Sequence, residues 1–344
     1  MSAPLVVVDA DALGRRRTGD ETYVRNLLRE LAPLAPAAGL RLAAVTRRPE
    51  LVPAGVEPLP LQVRVQELRM AWSLPRLLRR VGAALVHTQY AVPLRAPCPA
   101  VVTVHDLSFE RQPELMGRWD RLVFRAVVPR AARAAARVLT VSERSKRDLV
   151  ELYRLPPERV VVTPNGVDPL FRPDGARDTV SQGPFALSVG AVERRKNQLA
   201  ALAAARGAGL QLVVVGPEKD ARLAGELRAA GARLEGYVPD DRLAALYRGA
   251  ACLVQASRYE GFGLPVLEAM ACGCPVVTVS EPALLEVAGG AAVVVEEDGL
   301  AAGIARALAE RDRLVAAGLE RARAFGWRAT AERTLAVYRE ALGA

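Results

Sequence analysis

The chain has 344 residues, room for two domains, each with a sizeable core. Hydrophobic residues make up 51% and charged residues 25%, as in ordinary globular proteins, and no apolar run reaches the ~18 residues of a membrane span. The formal net charge of +9 favours anionic ligands such as nucleotides or phospholipid surfaces, while the lack of a basic module interleaved with aromatics argues against nucleic acid as a partner.

Strand-like apolar runs alternate with helix-like amphipathic runs along the whole chain. The start, MSAPLVVVDADAL, lacks the basic segment of a signal peptide and reads as an immediate strand over 5–9, so a cytoplasmic protein is expected. A helix is predicted over 20–34, with Tyr23, Leu27, Leu28 and Leu31 on one face, and a strand over 40–45. A basic helix over 67–81, broken near Pro75, leads to strands over 83–87 and 100–105. A long Ala/Arg helix over 118–136 and a strand over 138–141 follow, and Ser142 reads as the N-cap of a helix to about 153. A strand over 160–163 closes this half. Residues 164–183, rich in Pro and Gly and without a periodic run, read as a linker.

A second series then begins. Strands are expected over 185–189, 210–215, around 233–234, and over 251–255, 275–279 and 291–295. Helices are expected over 197–206, 219–230, 240–248, 300–309, 311–324 and 330–342. Such alternation predicts two α/β halves, each a parallel sheet covered by helices on both faces, with ligands bound at the carboxyl ends of the strands.

Two stretches carry chemistry. In VGAVERRKN a strand ends at Gly190, and Arg195-Lys196 precede a helix; a forked guanidinium and a mobile ammonium there suit a diphosphate. In SRYEGFGLPVLEAMACGCPVVT the glutamates Glu260 and Glu268 flank a Gly-Phe-Gly turn that opens a helix near Pro265. The turn presents N–H groups at a positive helix end, ready for phosphate or a polar sugar. Four cysteines, Cys98, Cys252, Cys272 and Cys274, read as reduced and mostly buried. Cys272-Gly-Cys274 has no second pair, and the histidines are only His87 and His105, so no structural zinc is expected.

These stretches, with GYVPDDRLAALYRGA between them, resemble glycosyltransferase family 4. LEVAGGAAVVV, VVTVHDLSF and VVVTPNGVDPLF extend the resemblance over most of the chain, and the overall pattern is most similar to mannosyltransferase-like members. The resemblance implies the α/β GT-B fold of two doubly wound Rossmann-like domains facing across a cleft. Residues 1–176 would bind the acceptor, 177–328 the nucleotide-sugar donor, and the helix in 329–344 would cross back to the first domain. It implies a retaining hexosyltransferase, with mannose favoured, acting on a saccharide or lipid-linked acceptor. GDP-mannose is the favoured donor, with UDP- and ADP-sugars as alternatives, and neither cofactor nor metal is expected. Arg195 and Lys196 match the diphosphate-binding pair, Glu268 the ribose carboxylate, and Glu260 the glutamate at the donor sugar. Backbone at Gly190 and from Gly261 through Phe262 and Gly263 to Leu264 would hold phosphate and sugar, and Tyr237 and Val238 lie where the base is held. His105 matches a first-domain histidine that reaches towards the sugar. Competing readings are a GT-B epimerase or phosphorylase, or a non-catalytic nucleotide-sugar-binding protein.

Weaker candidates remain. Asp9-Ala-Asp11 looks like a metal-binding pair but is read as strand-end chemistry or an acceptor contact. The loop GRRRTGDETY, with Arg15–Arg17, Gly19, Asp20 and Tyr23, stands where the family carries a glycine-rich acceptor loop; Asp20-Glu21 depart from that pattern. His87 is read as structural, and Ser142 and Asn165-Gly166 as capping and linker geometry. The basic stretches over 67–81 and 118–137 admit contact with an anionic membrane surface. The plainer reading is a helix packed on the sheet with a solvated outer face.

Overall fold

The computed structural model describes residues 3–15, 18–115, 117–179 and 183–343. They form two compact units: Met1–Gly166 with Trp327–Ala344, and Val167–Gly326. No helix among the described residues is long and apolar enough to cross a membrane.

The first unit is built on a seven-stranded parallel sheet in the order β3-β2-β1-β4-β5-β6-β7. Its strands are β1 (Leu5–Asp9), β2 (Arg41–Thr46), β3 (Glu57–Pro60), β4 (Leu85–Gln89), β5 (Ala100–Thr103), β6 (Arg137–Thr140) and β7 (Val160–Val162). Every residue of β1, LVVVD, is buried, as a central parallel strand covered on both faces requires. Sequence reasoning missed β3: its EPLP carries two prolines, which a sheet tolerates only at an edge, and an edge is where β3 lies. The Thr18–Leu34 helix buries Tyr23, Val24, Leu27, Leu28 and Leu31, and the Trp327–Leu342 helix packs along it. That last helix starts one turn earlier than expected, because Trp327 is itself buried. The predicted helix over 67–81 is three pieces: Gln66–Leu68, a π-helical turn over Arg69–Ser73, and Leu74–Val81 with Pro75 in its first turn. Ser142 caps the Glu143–Tyr153 helix, its hydroxyl accepting the Ser145 N–H at 3.1 Å.

The second unit holds a six-stranded parallel sheet in the order β10-β9-β8-β11-β12-β13. Its strands are β8 (Phe185–Val189), β9 (Gln211–Val215), β10 (Arg233–Gly236), β11 (Cys252–Gln255), β12 (Val276–Val279) and β13 (Val293–Val295). The order reverses between β8 and β11, so the loops leaving these two strands diverge to opposite faces and open a crevice at their carboxyl ends. The unit begins at Val167, inside the stretch over 164–183 read as a linker. Residues after Val167 are held by the Asp240–Gly249 helix: Arg248 donates to the carbonyls of Arg172 and Ala176, and the Asp178 N–H donates to Ala245. Gly249 makes this possible, since a Cβ there would lie 2.1 Å from the Asp178 carbonyl oxygen. The unit's two ends are stitched together by the Val167 N–H, which donates to the Phe325 carbonyl at 3.1 Å.

Candidate functional site

The crevice between β8 and β11 gathers the basic pair and the first glutamate. After β8 the chain turns at Gly190 (φ 144°) and makes one 3-10 turn over Arg194–Lys196. Asn197, in the left-handed region at φ 53°, separates that turn from the Gln198–Gly207 helix. The Lys196 stem lies against Gly190, where a Cβ would come within 3.1 Å of Lys196 Cε. Lys196 Nζ donates to Glu260 Oε1 at 2.6 Å, and Arg195 donates to Glu260 Oε2 at 3.2 Å and to the Tyr259 carbonyl at 2.7 Å. Glu193 anchors the other side of the Arg195 fork at 2.7 Å, and Gln255 at the end of β11 donates to Glu260 Oε1 at 2.8 Å. Burial opposes the charge on Glu260, but Lys196 and Arg195 outweigh it and bring its pKa down to about 2. The same burial lowers the pKa of Lys196, against the pull of Glu260. A carboxylate so strongly stabilised is a poor proton acceptor at neutral pH, so Glu260 serves as a fixed charge and hydrogen-bond acceptor.

The second glutamate is set by the turn that follows. Gly263 (φ 109°) caps the Leu264–Ala271 helix, and a Cβ there would lie 2.8 Å from Leu284 Cδ2. Pro265 sits in the first turn, where its missing N–H costs nothing. Gly261 and Phe262 are buried, the Phe262 ring meeting Phe325 edge-on at 5.9 Å. One turn into the helix, Glu268 is buried and accepts the Tyr247 O–H at 2.9 Å. Tyr247 sits in the Asp240–Gly249 helix, fully buried against the Phe171 ring at 5.9 Å. Tyr237, half-exposed, and Val238, buried, lie between β10 and that helix. Gly190, Arg195, Lys196 and Glu260 thus meet in one cluster. Sequence reasoning missed Glu193, Gln255 and Tyr247; Glu193, two residues before Arg195, carried the only local signal.

The pattern described as Glycosyl transferases group 1 matches residues 176–325, and that described as Glycosyltransferase Family 4 matches 17–170. The O-antigen chain mannosyltransferase B of Escherichia coli is 32% identical over 268 residues, covering 70% of each chain. The chain belongs to glycosyltransferase family 4. A D-inositol 3-phosphate glycosyltransferase of Acidothermus cellulolyticus is 30% identical over 97% of this chain and 84% of its own. Among solved structures, the sucrose-phosphate synthase of Thermosynechococcus elongatus superposes with a TM-score of 0.78 at 21% identity, covering 99% of both chains. The fold of this family 4 glycosyltransferase is accordingly GT-B, and the protein is an enzyme of that class.

The first unit of the glycosyltransferase brings its own predicted residues together. His105, just beyond β5, has Nε2 3.1 Å from Gln89 Oε1 and 4.0 Å from Asp20 Oδ1. The Tyr23 ring meets the imidazole edge-on at 4.7 Å, and the His105 carbonyl accepts the Ser145 hydroxyl at 3.2 Å. Burial lowers the His105 pKa, with Asp20 and Asp106 pulling the other way, so the ring is neutral near pH 7. Gly19 opens the same helix turn, with nothing within 4 Å of where a Cβ would stand. Arg16 and Arg17 of the basic loop lie outside the described residues.

The Asp9-Ala-Asp11 pair is taken up by arginines. Arg69, fully buried, forms a two-pronged bond to Asp9, 2.6 Å at each oxygen. Arg15 and Arg47 share Asp11. His87 is locked at both nitrogens, by Tyr338 at 2.6 Å and Thr103 at 2.7 Å. Cys252, Cys272 and Cys274 are buried thiols with raised pKa values, to about 12 for Cys252 and Cys272, all through burial first.

Proposed function

We propose that the enzyme transfers a hexose, with mannose favoured, from a nucleoside-diphosphate sugar to a saccharide or lipid-linked acceptor with retention of configuration. The observation that carries this reading is the desolvated Lys196-Arg195-Glu260 cluster in the crevice of the second unit. Departure of a nucleoside diphosphate builds negative charge on its phosphates, and preorganised cations in a dry pocket stabilise that charge most as it forms. Lys196 and Arg195 supply those cations, Glu260 orients the sugar, and Glu268 accepts from the ribose hydroxyls. Backbone from Gly261 to Leu264 holds the sugar and phosphate, and Tyr237 and Val238 flank the base. The first unit contributes His105, with Gly19, Asp20 and Tyr23 on the acceptor side. The mannosyl preference rests on the Escherichia coli relative, a mannosyltransferase by name, and makes GDP-mannose the favoured donor. Because arginines occupy Asp9 and Asp11, these residues hold no divalent metal, and the cations at the crevice take the role a metal would otherwise play.

The test is a thermal-shift panel of GDP-, UDP- and ADP-sugars with and without EDTA. A bound donor raises the melting temperature by mass action, by about 2.7 kcal/mol of stability at a hundredfold excess over Kd. GDP-mannose should give the largest shift, unchanged by EDTA, and proton NMR of the product should show the donor's anomeric configuration kept. No shift with any donor would sink the reading, and an inverted product would remove the retaining mechanism.

A further inference from the structure

Gln89 is the last residue of β4, and its side chain has one polar contact of interest, the imidazole of His105. The sheet itself sets that contact. β4 and β5 are neighbours with Gln89 opposite Thr103, and His105 lies two residues beyond Thr103. Side chains two apart along an extended chain share a face, so strand register brings the amide beside the ring.

The two polar atoms that face His105 Nε2 are both acceptors: Gln89 Oε1 at 3.1 Å and Asp20 Oδ1 at 4.0 Å. An ionised carboxylate has no proton to give, so the nitrogen that faces it is the one that carries the hydrogen. Nδ1, by contrast, has no partner among the described residues and is not sealed away from solvent.

The ring is also held against turning over, which would swap its nitrogens for carbons. Tyr23 meets it edge-on at 4.7 Å, and the Tyr90 ring lies 5.6 Å away. Tyr90 keeps φ at 59°, a left-handed backbone that a bulky residue adopts only where its surroundings demand it. Phe124 backs the Tyr90 ring at 5.3 Å.

We propose that Gln89 and Asp20 are positioning residues that hold His105 as its Nε2–H tautomer, so that Nδ1 presents a lone pair to a hydroxyl of a bound sugar. A hydroxyl can donate to that lone pair, whereas an ionised phosphate oxygen has no hydrogen to offer it. The proposal rests on placing His105 in the transferase site, but the tautomer is a property of the unliganded chain.

Several groups surround the ring. Asp20 comes from the Thr18–Leu34 helix, Asp106 is the next residue, His87 lies on β4, and Tyr23 and Tyr90 pack on the imidazole. The Glu143–Tyr153 helix meets the residue through the Ser145 hydroxyl, at the His105 carbonyl. Burial keeps His87 and Tyr23 uncharged near neutral pH, so Asp20 and Asp106 are the charges the ring feels.

The test is a long-range proton–nitrogen NMR spectrum of the full chain labelled with 15N-histidine. With two histidines in the chain, His105→Asn removes one set of peaks and assigns the other. His105 should appear as the Nε2–H tautomer and stay neutral below pH 6.5. Gln89→Glu adds a carboxylate at Nε2–H, which favours the imidazolium, so the titration of His105 and the acid limb of turnover should rise together by about one pH unit. Gln89→Met with Asp20→Ala removes both acceptors, and both tautomers should then be seen. His105→Asn keeps an acceptor near the place of Nδ1 and His105→Gln near that of Nε2, so the asparagine variant should retain roughly tenfold more turnover. An Nδ1–H signal for His105 in the wild-type chain overturns the proposal. So does a pure Nε2–H signal in the Gln89→Met, Asp20→Ala chain, or an acid limb that Gln89→Glu leaves in place. The spectrum needs neither donor nor acceptor, so it fails or holds separately from the transferase reading.

Discussion

Lys196 occupies an uncomfortable position for a cation: desolvated, beside Arg195, and held by one shared carboxylate. That arrangement keeps positive charge poised where a diphosphate is expected to arrive. Lys196→Ala should weaken donor binding by roughly tenfold to a hundredfold, in line with hydrogen bonds to charged groups, and lower turnover with it; titration calorimetry and initial rates check both. Tyr247 gives a sharper test. Its hydroxyl fixes one oxygen of Glu268, the carboxylate proposed to accept from the ribose. Tyr247→Phe should cost roughly tenfold in affinity for ribonucleotide donors and much less for deoxyribose analogues, since a loosened carboxylate matters only where a hydroxyl is bound. Equal losses with both sugars would make Tyr247 a packing residue. Arg195, Lys196, Glu260 and Glu268 were legible in the sequence because fixed spacings carry them. Tyr247 was not, because it lies 21 positions from Glu268 and meets it only through the packing of two helices.

At the scale of elements, the final helix of the first unit is pinned by His87. Tyr338 reaches it from the Trp327–Leu342 helix, Thr103 from β5, and the Tyr23 hydroxyl lies 3.1 Å from Thr103 Oγ1. Burial, with His105 nearby, pushes the His87 pKa down from 6.5 to about 3. The unfolded chain therefore takes up a proton below 6.5 that the folded chain refuses until about 3, and stability falls as the pH drops through that window. Hydrogen exchange should show the Trp327–Leu342 helix losing protection between these values, and His87→Leu should flatten this dependence while lowering stability at neutral pH. A wild-type helix equally protected at pH 4 and pH 7 would contradict this. Most elements were readable from hydrophobic period alone, and Phe185–Val189 and Leu300–Ala309 fell on the expected residues. The misses have physical causes. β3 hides behind prolines that only an edge permits, and the π-helical turn at Arg69–Ser73 gains from burying Arg69 on Asp9, a contact between residues 60 positions apart.

The whole molecule is one chain that builds its first unit from two separate pieces, 1–166 and 327–344. The second piece supplies Trp327, Val337 and Tyr338 to the core, and Thr330 donates to the Pro164 carbonyl at 2.5 Å. Losing a buried aromatic costs about 3–5 kcal/mol, so losing three large side chains together approaches the 5–15 kcal/mol that hold a typical domain. A chain ended at Gly326 should leave the first unit unfolded and protease-sensitive while Val167–Gly326 keeps a cooperative melt and its donor-induced shift. Two domains were visible in composition, and the division at Gly166 falls within the expected 164–183 linker; that residues 167–176 belong to the second unit was not legible, because what holds them there is hydrogen bonding of their carbonyls to Arg248, which leaves no mark on hydrophobic pattern.

The Val167 N–H bond to the Phe325 carbonyl brings the entry and exit of the second unit together. During synthesis, residues 1–166 leave the ribosome first but must wait, with the Tyr23 and His87 side chains lacking their cover, until the whole of 167–326 has been made. The half begun first is the half completed last. A second unit that closes on itself early shortens the effective tether between the two pieces of its neighbour, from 160 residues to the span of one hydrogen-bonded backbone pair.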